Sequence, residues 1–442
     1  MKNRRSRSTR DITFHSGWAL AVGGMIGGGI YTLAGVILGV AGPLAWISLV
    51  LGSVLALITV RSYFILTRKI DAGGVPVTYL VQKRHRNLAG VLAWWLILVY
   101  VLAIGVYSFT FGHYLGRALA LPEPVIGLVI AGLLASLALL NIVGIKEPAG
   151  VQITAVWIEL LMLTALAAWG FWHWNPTNLT RGAPGGSVWG ILNGMAATFI
   201  AFEGFEMIAY DHRELRAPKR IMGKGLAAAV IAVGLAYALV TVGAASLVGA
   251  DVLIKQKENA LAVAGQKAAG NVGLIFVTVA ACFSAASAVN ATLFSVSRLA
   301  RSSAERRLMP GIFARCNRKR CPYYSIIFLA IVSAPLAAMG SLDLLVETAS
   351  LAFLLLFSFV NALTYTGTKS HDVLSLTGAI AAAAAAVMVG GRLFSTYPLV
   401  LCGFVGICII VAIAFYATRA FGRRRRGFIS VRTEAAREGR GL

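Results

Sequence analysis

The chain has 442 residues, of which 58% are hydrophobic and 13% charged, and its net charge is +23. A soluble chain carries about 25% charged residues, so this composition excludes a soluble globular protein. The apolar runs are about twenty residues long and lack the alternation of a barrel strand, which makes the expected class an all-α membrane protein.

About twelve transmembrane helices are predicted, near residues 14–38, 43–66, 88–117, 124–144, 150–173, 188–210, 222–249, 270–299, 322–341, 343–366, 373–392 and 397–420. They form one transmembrane domain over residues 14–420, between a basic N-terminus (1–13) and a basic tail (421–442). No cleavable signal peptide is expected, because the run after the basic residues 1–10 is too long and no small-residue cleavage site follows it. With the N-terminus inside, all but six of the 40 Lys and Arg fall on the cytoplasmic side; the six are Arg117, Arg181, Lys255, Lys257, Lys267 and Arg392. This asymmetry is the positive-inside pattern, and it predicts a multi-pass protein of the cell (inner) membrane with both termini cytoplasmic. It also reads the charge as a topology signal rather than a nucleic-acid surface, with Arg423 to Arg426 touching anionic lipid. Cys282, Cys402 and Cys408 sit in spans. Cys316 and Cys321 sit in a basic cytoplasmic loop, where thiols stay reduced and the spacing matches no zinc site.

Span 1 contains GGMIGGGIY at residues 23–31. Each Gly costs roughly 1 kcal/mol relative to Ala inside a helix. An unwound stretch at Gly27, Gly28 and Gly29 would expose N–H groups at the start of a second half-helix, an end suited to a carboxylate. Close helix packing through Gly23 and Gly27 is an alternative use of the same residues. A dinucleotide loop is excluded by the absence of a preceding strand.

Further along, Tyr107 and Ser108 of span 3 are candidates to line a cavity. Arg61 is expected to snorkel near the cytoplasmic end of span 2, and Trp94, Trp95, Trp172 and Trp174 to anchor span ends at the interface. Span 6 reads IAFEGFE at 200–206, with Glu203 and Glu206 inside an apolar run. An acid at mid-membrane costs about 2.5–3.5 kcal/mol on the insertion scale, so each should face a cavity or a partner, or carry a proton. Hydrogen bonding to neighbouring helices would also satisfy them. Gly204 between them permits an irregular backbone. Ser284, Ser287 and Asn290 follow at three-residue spacing in span 8, on one helix face where ordinary interhelical hydrogen bonding would use them. Glu347 is expected near the outer end of span 10, where solvation is cheap. No histidine spacing suggests a metal site, and no nucleophile–base pair suggests an enzyme. No cofactor is implied. Spans 1 and 6 are the first members of two five-span halves, and paired interruptions at such positions point to inverted repeats.

These residues resemble the amino acid–polyamine–organocation (APC) superfamily of secondary transporters. GGMIGGGIY is similar to its first-span break, and AFEGFEMIAYDHRELRAPKR (201–220) to its sixth span and following loop. SAASAVNATLFSVSRLARSSAERRLMP (284–310) is similar to the eighth span and its loop, AGGVPVTYL (72–80) to the approach to span 3, and NIVGIKEPAGVQ (141–152) to the join of spans 4 and 5. The resemblance implies a 5+5 inverted repeat with spans 1 and 6 broken and spans 11 and 12 peripheral. It implies substrate binding at Met25, Ile26 and Gly27 to Gly29, with the carboxylate on the glycine N–H groups. The amino group would meet carbonyls of Ile200, Ala201 and Phe202, Glu203 would face the substrate, and Phe202 or Phe205 would gate. Relatives often carry Lys seven residues after Gln152; here that position is Glu159. Tyr63 is followed by Phe64 and Ile65 where relatives have an acid, and the loop after span 6 reads Arg213–Glu214 where two acids are common. The expected function is alternating-access symport of an amino acid or small amine. A proton is the preferred coupling ion over sodium, with Glu159 and Glu206 as carriers and Ser284, Ser287 and Asn290 as a cation-site alternative. Exchange, or carriage of cationic amines, is the other transport reading; a channel or receptor is a different class.

Overall fold

The computed structural model describes residues 13–409 and 413, apart from 71–73, 146–148, 210–214, 216–217, 340 and 369–370. The basic N-terminus, Arg213 and Glu214, the end of span 12 and the Arg423 to Arg426 tail lie outside the described residues.

Every predicted span is helical over at least part of its described residues. Span 1 is Phe14–Ala41, span 2 Ala45–Thr67, span 3 Arg86–Ala118, span 4 Glu123–Val143 and span 5 Ala149–Trp172. Span 6 begins as Val188–Ala197, span 7 is Leu226–Val248, and span 8 is the long leg of the helix Ala260–Glu305. Spans 9, 10 and 11 are Tyr323–Met339, Leu342–Gly367 and Val373–Thr396; span 12 starts at Pro398. Among the described residues, eight helical stretches are long and apolar enough to cross a membrane, the first running through spans 1 and 2 (Gly29–Thr67), and three shorter apolar helices accompany them.

Local chemistry sets the ends. Thr13, Ser187, Ser341 and Asp372 cap the starts of spans 1, 6, 10 and 11 by accepting a backbone N–H three residues on. Gly144 ends span 4 in the left-handed region (φ 77°). Ala269 and Gly270 fold the helix Ala260–Glu305 into a short and a long leg.

The packing repeats itself in an inverted sense. Span 5 lies on span 7 as span 10 lies on span 2, span 1 on span 7 as span 6 on span 2, and span 3 on span 4 as span 8 on span 9. Spans 1 and 5 pair as spans 6 and 10 do, and spans 2 and 7, 3 and 8, and 4 and 9 pair across the two halves. Those are the pairings of a 5+5 repeat. Span 11 lies against spans 10, 2 and 6. Large aliphatic side chains such as Leu128, Leu161 and Val387 point outward, and Ala, Leu, Val, Ile and aromatic rings fill the interior. That distribution suits a lipid surround, where close packing rather than water exclusion joins helices.

The end of the bundle opposite the N-terminus is closed by the connection between spans 7 and 8. Its Leu253 and Lys257 backbones press on Gly35 of span 1, where a Cβ would come within 2.5 Å of the Lys257 Cα. Lys257 pairs with Asp343 at the start of span 10, and Arg117 of span 3 donates to Gln256.

Candidate functional site

Both predicted breaks are present. Span 1 leaves helical geometry at Gly27 (φ 25°, ψ −115°), within the Gly27 to Gly29 run. Span 6 ends its α-helix at Ala197, tightens to a 3-10 turn over Phe199–Phe202, becomes extended at Glu203 and turns at Gly204 (φ 115°) before a second 3-10 turn over Phe205–Ala209. The breaks touch. A Cβ on Gly24 would lie 3.2 Å from the Gly204 carbonyl oxygen, and one on Gly29 would lie 3.4 Å from the Ala201 Cα. Gly23 packs on Val156 of span 5, and Gly27 on Ala288 of span 8 and the Tyr107 ring. The two sequence alternatives therefore hold together: the glycines serve close packing and the break.

Two carboxyl groups lie at this junction, both fully buried. Glu206 turns back on its own break. It accepts from the Gly204 N–H at 3.1 Å on one oxygen and from the Tyr100 hydroxyl at 3.0 Å on the other. Glu203 accepts from the Tyr107 hydroxyl through Oε2, while its Oε1 is buried without a hydrogen-bond partner. Tyr100 and Tyr107 stand seven residues apart, two turns along one face of span 3, so one helix supplies a phenol to each acid.

The sequence reading missed Tyr237. Its hydroxyl lies 2.6 Å from the Met25 carbonyl and 3.2 Å from the Ala201 carbonyl, joining the broken stretches of spans 1 and 6. The only available signal was a single tyrosine in an Ala- and Val-rich span. Ser350 of span 10 was missed too. It donates to the Ala197 carbonyl at 2.8 Å and accepts from the Ile200 N–H at 3.1 Å, replacing helical bonds that the break removes. Of the carbonyls expected to be open, Ile200 accepts from the Glu203 N–H at 3.0 Å and Ala201 faces Tyr237.

The other expected residues divide. Met25 and Ile26 are fully buried beside the break. Ser108 is buried with its hydroxyl unpartnered. Phe202 packs on Gly52 and Tyr237, whereas Phe205 packs on Tyr63 and Phe357. Glu159 is 4% exposed, beside the Ser284 hydroxyl, and its Oε2 has no hydrogen-bond partner. Asn290 accepts from the Asn141 amide of span 4 at 2.6 Å. Ser284 and Asn290 thus serve different neighbours, because three residues advance a helix by only about 300° and the face drifts. Ser287 is half-buried between them.

Three expectations are corrected. Glu347 is not solvated: it is 2% exposed and pairs with Arg392 of span 11 at 2.8 Å. Arg61 does not merely snorkel but grips Asp372 through two of its nitrogens. Trp94 and Trp95 lie partly inside, Trp94 against Phe313 and Trp95 donating to the Ala352 carbonyl, because span 3 is central and mostly covered.

The sequence profile of the family described as amino acid permease matches residues 12–421. The inner membrane transport protein YbaT of Escherichia coli is 26% identical over 77% of this chain and 79% of its own length. The cationic amino acid transporter 4 of Mus musculus is 25% identical over 81% of this chain and 59% of that longer protein. The methylthioribose transporter of Bacillus subtilis is 24% identical over 83% and 82%. Among solved structures, a manganese transporter of Eremococcus coleocola superposes with a TM-score of 0.60 at 10% identity, covering 95% of this chain and 96% of that one. At that identity the likeness concerns the fold alone.

Proposed function

The chain belongs to the amino acid permease family, a family of membrane transporters, and from that premise we propose that it carries an amino acid or related small amine across the cell membrane by alternating access. The observation that carries this reading is Glu203. It is a fully buried carboxyl where the two breaks meet, with one oxygen held by Tyr107 and the other bare. A bare buried acceptor costs about 1–3 kcal/mol, more when charged, and a substrate ammonium offsets that cost. The substrate carboxylate goes to the N–H groups at Gly27 to Gly29, beside the departure from helical geometry at Gly27, at what would be the partly positive start of the second half-helix. Spans 1, 2, 6 and 7 rock against the rest, and both termini face the cytoplasm, as the distribution of Lys and Arg indicates.

Proton coupling is the preferred driving force. Of the two acids considered as carriers, the geometry favours Glu159, which leaves an oxygen bare, over Glu206, which already accepts two hydrogen bonds. Purified protein in liposomes, offered labelled amino acids under an imposed pH or sodium gradient, tests both statements. Saturable accumulation that follows an inward proton gradient is expected. Uptake that follows sodium and ignores pH overturns the coupling, and no saturable uptake of any amino acid or amine overturns the function.

A second reading is specificity for a cationic substrate or exchange of one. The bare Glu203 oxygen favours it, and one relative is named as a cationic amino acid transporter. Glu203→Gln should then abolish uptake of lysine- and arginine-like substrates while sparing neutral ones. Equal loss of both, or no loss, removes this reading.

A further inference from the structure

A cavity lies on the outer surface between spans 5 and 8. It holds about 650 Å³ and opens sideways, toward the position of the lipid. Val151 and Ile158 of span 5 form one wall, and Phe276, Val279 and Phe283 of span 8 the other; all five are exposed. Glu159 closes the inner end. Among the described residues its Oε2 is buried without a hydrogen-bond partner, and the Ser284 hydroxyl lies beside the carboxyl.

We propose that this crevice binds a hydrophobic ammonium ion arriving from the membrane, with Glu159 as the counter-ion and Ser284 beside it. Charge and shape select that class. A lipid acyl chain would cover the apolar walls but leave the carboxyl bare, at a cost of several kcal/mol if ionised. A hydrated metal ion would meet the carboxyl but not the aromatic and aliphatic walls. An amine with a compact apolar body meets both. Depth excludes a lipid headgroup: Glu159 lies ten residues into span 5, roughly 15 Å along its axis at 1.5 Å per residue. The site also has a mechanical consequence. One turn before Glu159, Val156 packs against Gly23, four residues ahead of the span 1 break. A ligand wedged between spans 5 and 8 braces that hinge, so the amine is expected to slow transport. The inference goes beyond the central-site reading and does not depend on it.

The probe is 1-aminoadamantane, an apolar cage with one ammonium, and the control is 1-adamantanol, of the same shape without the charge. Thermal unfolding of the full chain in lipid nanodiscs is read against each. The amine should raise the midpoint saturably by roughly 2–4 °C, and the alcohol should not. Val279→Trp fills the crevice from a position 61% exposed on its outer wall, so the fold should persist. It should remove the amine's effect, and Glu159→Gln should do the same. An equal shift with the alcohol, or an undiminished shift in Val279→Trp, overturns the proposal; the latter result places the amine in the central site. If Glu159→Gln does not fold, Val279→Trp alone decides. A stabilising shift by an amino acid substrate should survive Val279→Trp, which separates failure of the crevice from failure of the transport reading.

Discussion

Gly204 sits against Gly24 backbone to backbone: a Cβ on Gly204 would lie 2.5 Å from the Gly24 carbonyl carbon. The two interrupted spans therefore pack as one structural unit. Gly204 also has φ 115°, a conformation closed to other residues without strain. Gly204→Ala is expected to cost about 1–3 kcal/mol from the backbone alone, before the steric clash is counted. It should lower the unfolding midpoint and abolish uptake. Gly24→Ala, whose Cβ would stand 3.2 Å from its nearest neighbour, should be the milder change.

Tyr237→Phe keeps the ring and removes the hydroxyl that faces both Met25 and Ala201 carbonyls. Leaving buried acceptors without a donor costs about 1–3 kcal/mol. The variant should fold, and its substrate KM should rise about tenfold, since the two broken stretches lose their shared tie. An unchanged KM in liposome uptake would show that the tie has no bearing on the site.

Tyr100 and Tyr107 should separate stability from binding. Tyr100→Phe removes one of the two hydrogen bonds to Glu206, the acid that secures the Gly204 turn, and should lower thermal stability by about 1–3 kcal/mol. Tyr107→Phe removes the one donor to Glu203 among the described residues. It should leave the midpoint closer to the parent value and alter substrate affinity and selectivity. Thermal unfolding and uptake measured on both variants check the contrast.

At the end of the bundle near the start of span 11, Arg61 binds Asp372, and Ser375 adds two hydrogen bonds to the same carboxyl. The Arg61 hydrogen bond above all, then Ser375, holds Asp372 below the usual carboxylate range. A group depressed in the folded state contributes stability that is present above its unfolded pKa, about 3.9, and is lost as pH falls through the folded value. Asp372→Asn keeps a helix-capping side chain but removes the charge, so it should cost about 0.2–1 kcal/mol near neutral pH, as Arg61 is half exposed. The deficit should begin to shrink as pH falls below about 4 and vanish only below the depressed folded value of Asp372. Asp372→Ala also removes the cap and should cost a further 0.5–2 kcal/mol or so. Unfolding midpoints across pH test both.

The twelve spans, the breaks at Gly27 and Glu203–Gly204 and the family were legible in the chain itself. Those signals are local: twenty apolar residues in a row, glycines clustered where a helix tolerates them poorly, and acids in a hydrophobic run. The packing alternative at Gly23 and Gly27 could not be separated from the break by sequence, and both uses coexist. Glu203 and Glu206 looked alike, three residues apart, yet one is satisfied and the other keeps a bare oxygen. Glu347 read as a surface acid until Arg392 of the next span was placed beside it.

Sequence alone determined which segments enter the membrane and where two of them lose helical form, because hydrophobicity and backbone permissiveness belong to neighbouring residues. Tertiary structure alone decided which acid is held by which tyrosine, that Tyr237 and Ser350 serve the breaks, and that Glu159 ends a crevice on the outer surface. Those facts depend on which helix passes beside which and at what rotation, and a period of 3.6 residues does not reveal a partner hundreds of positions away.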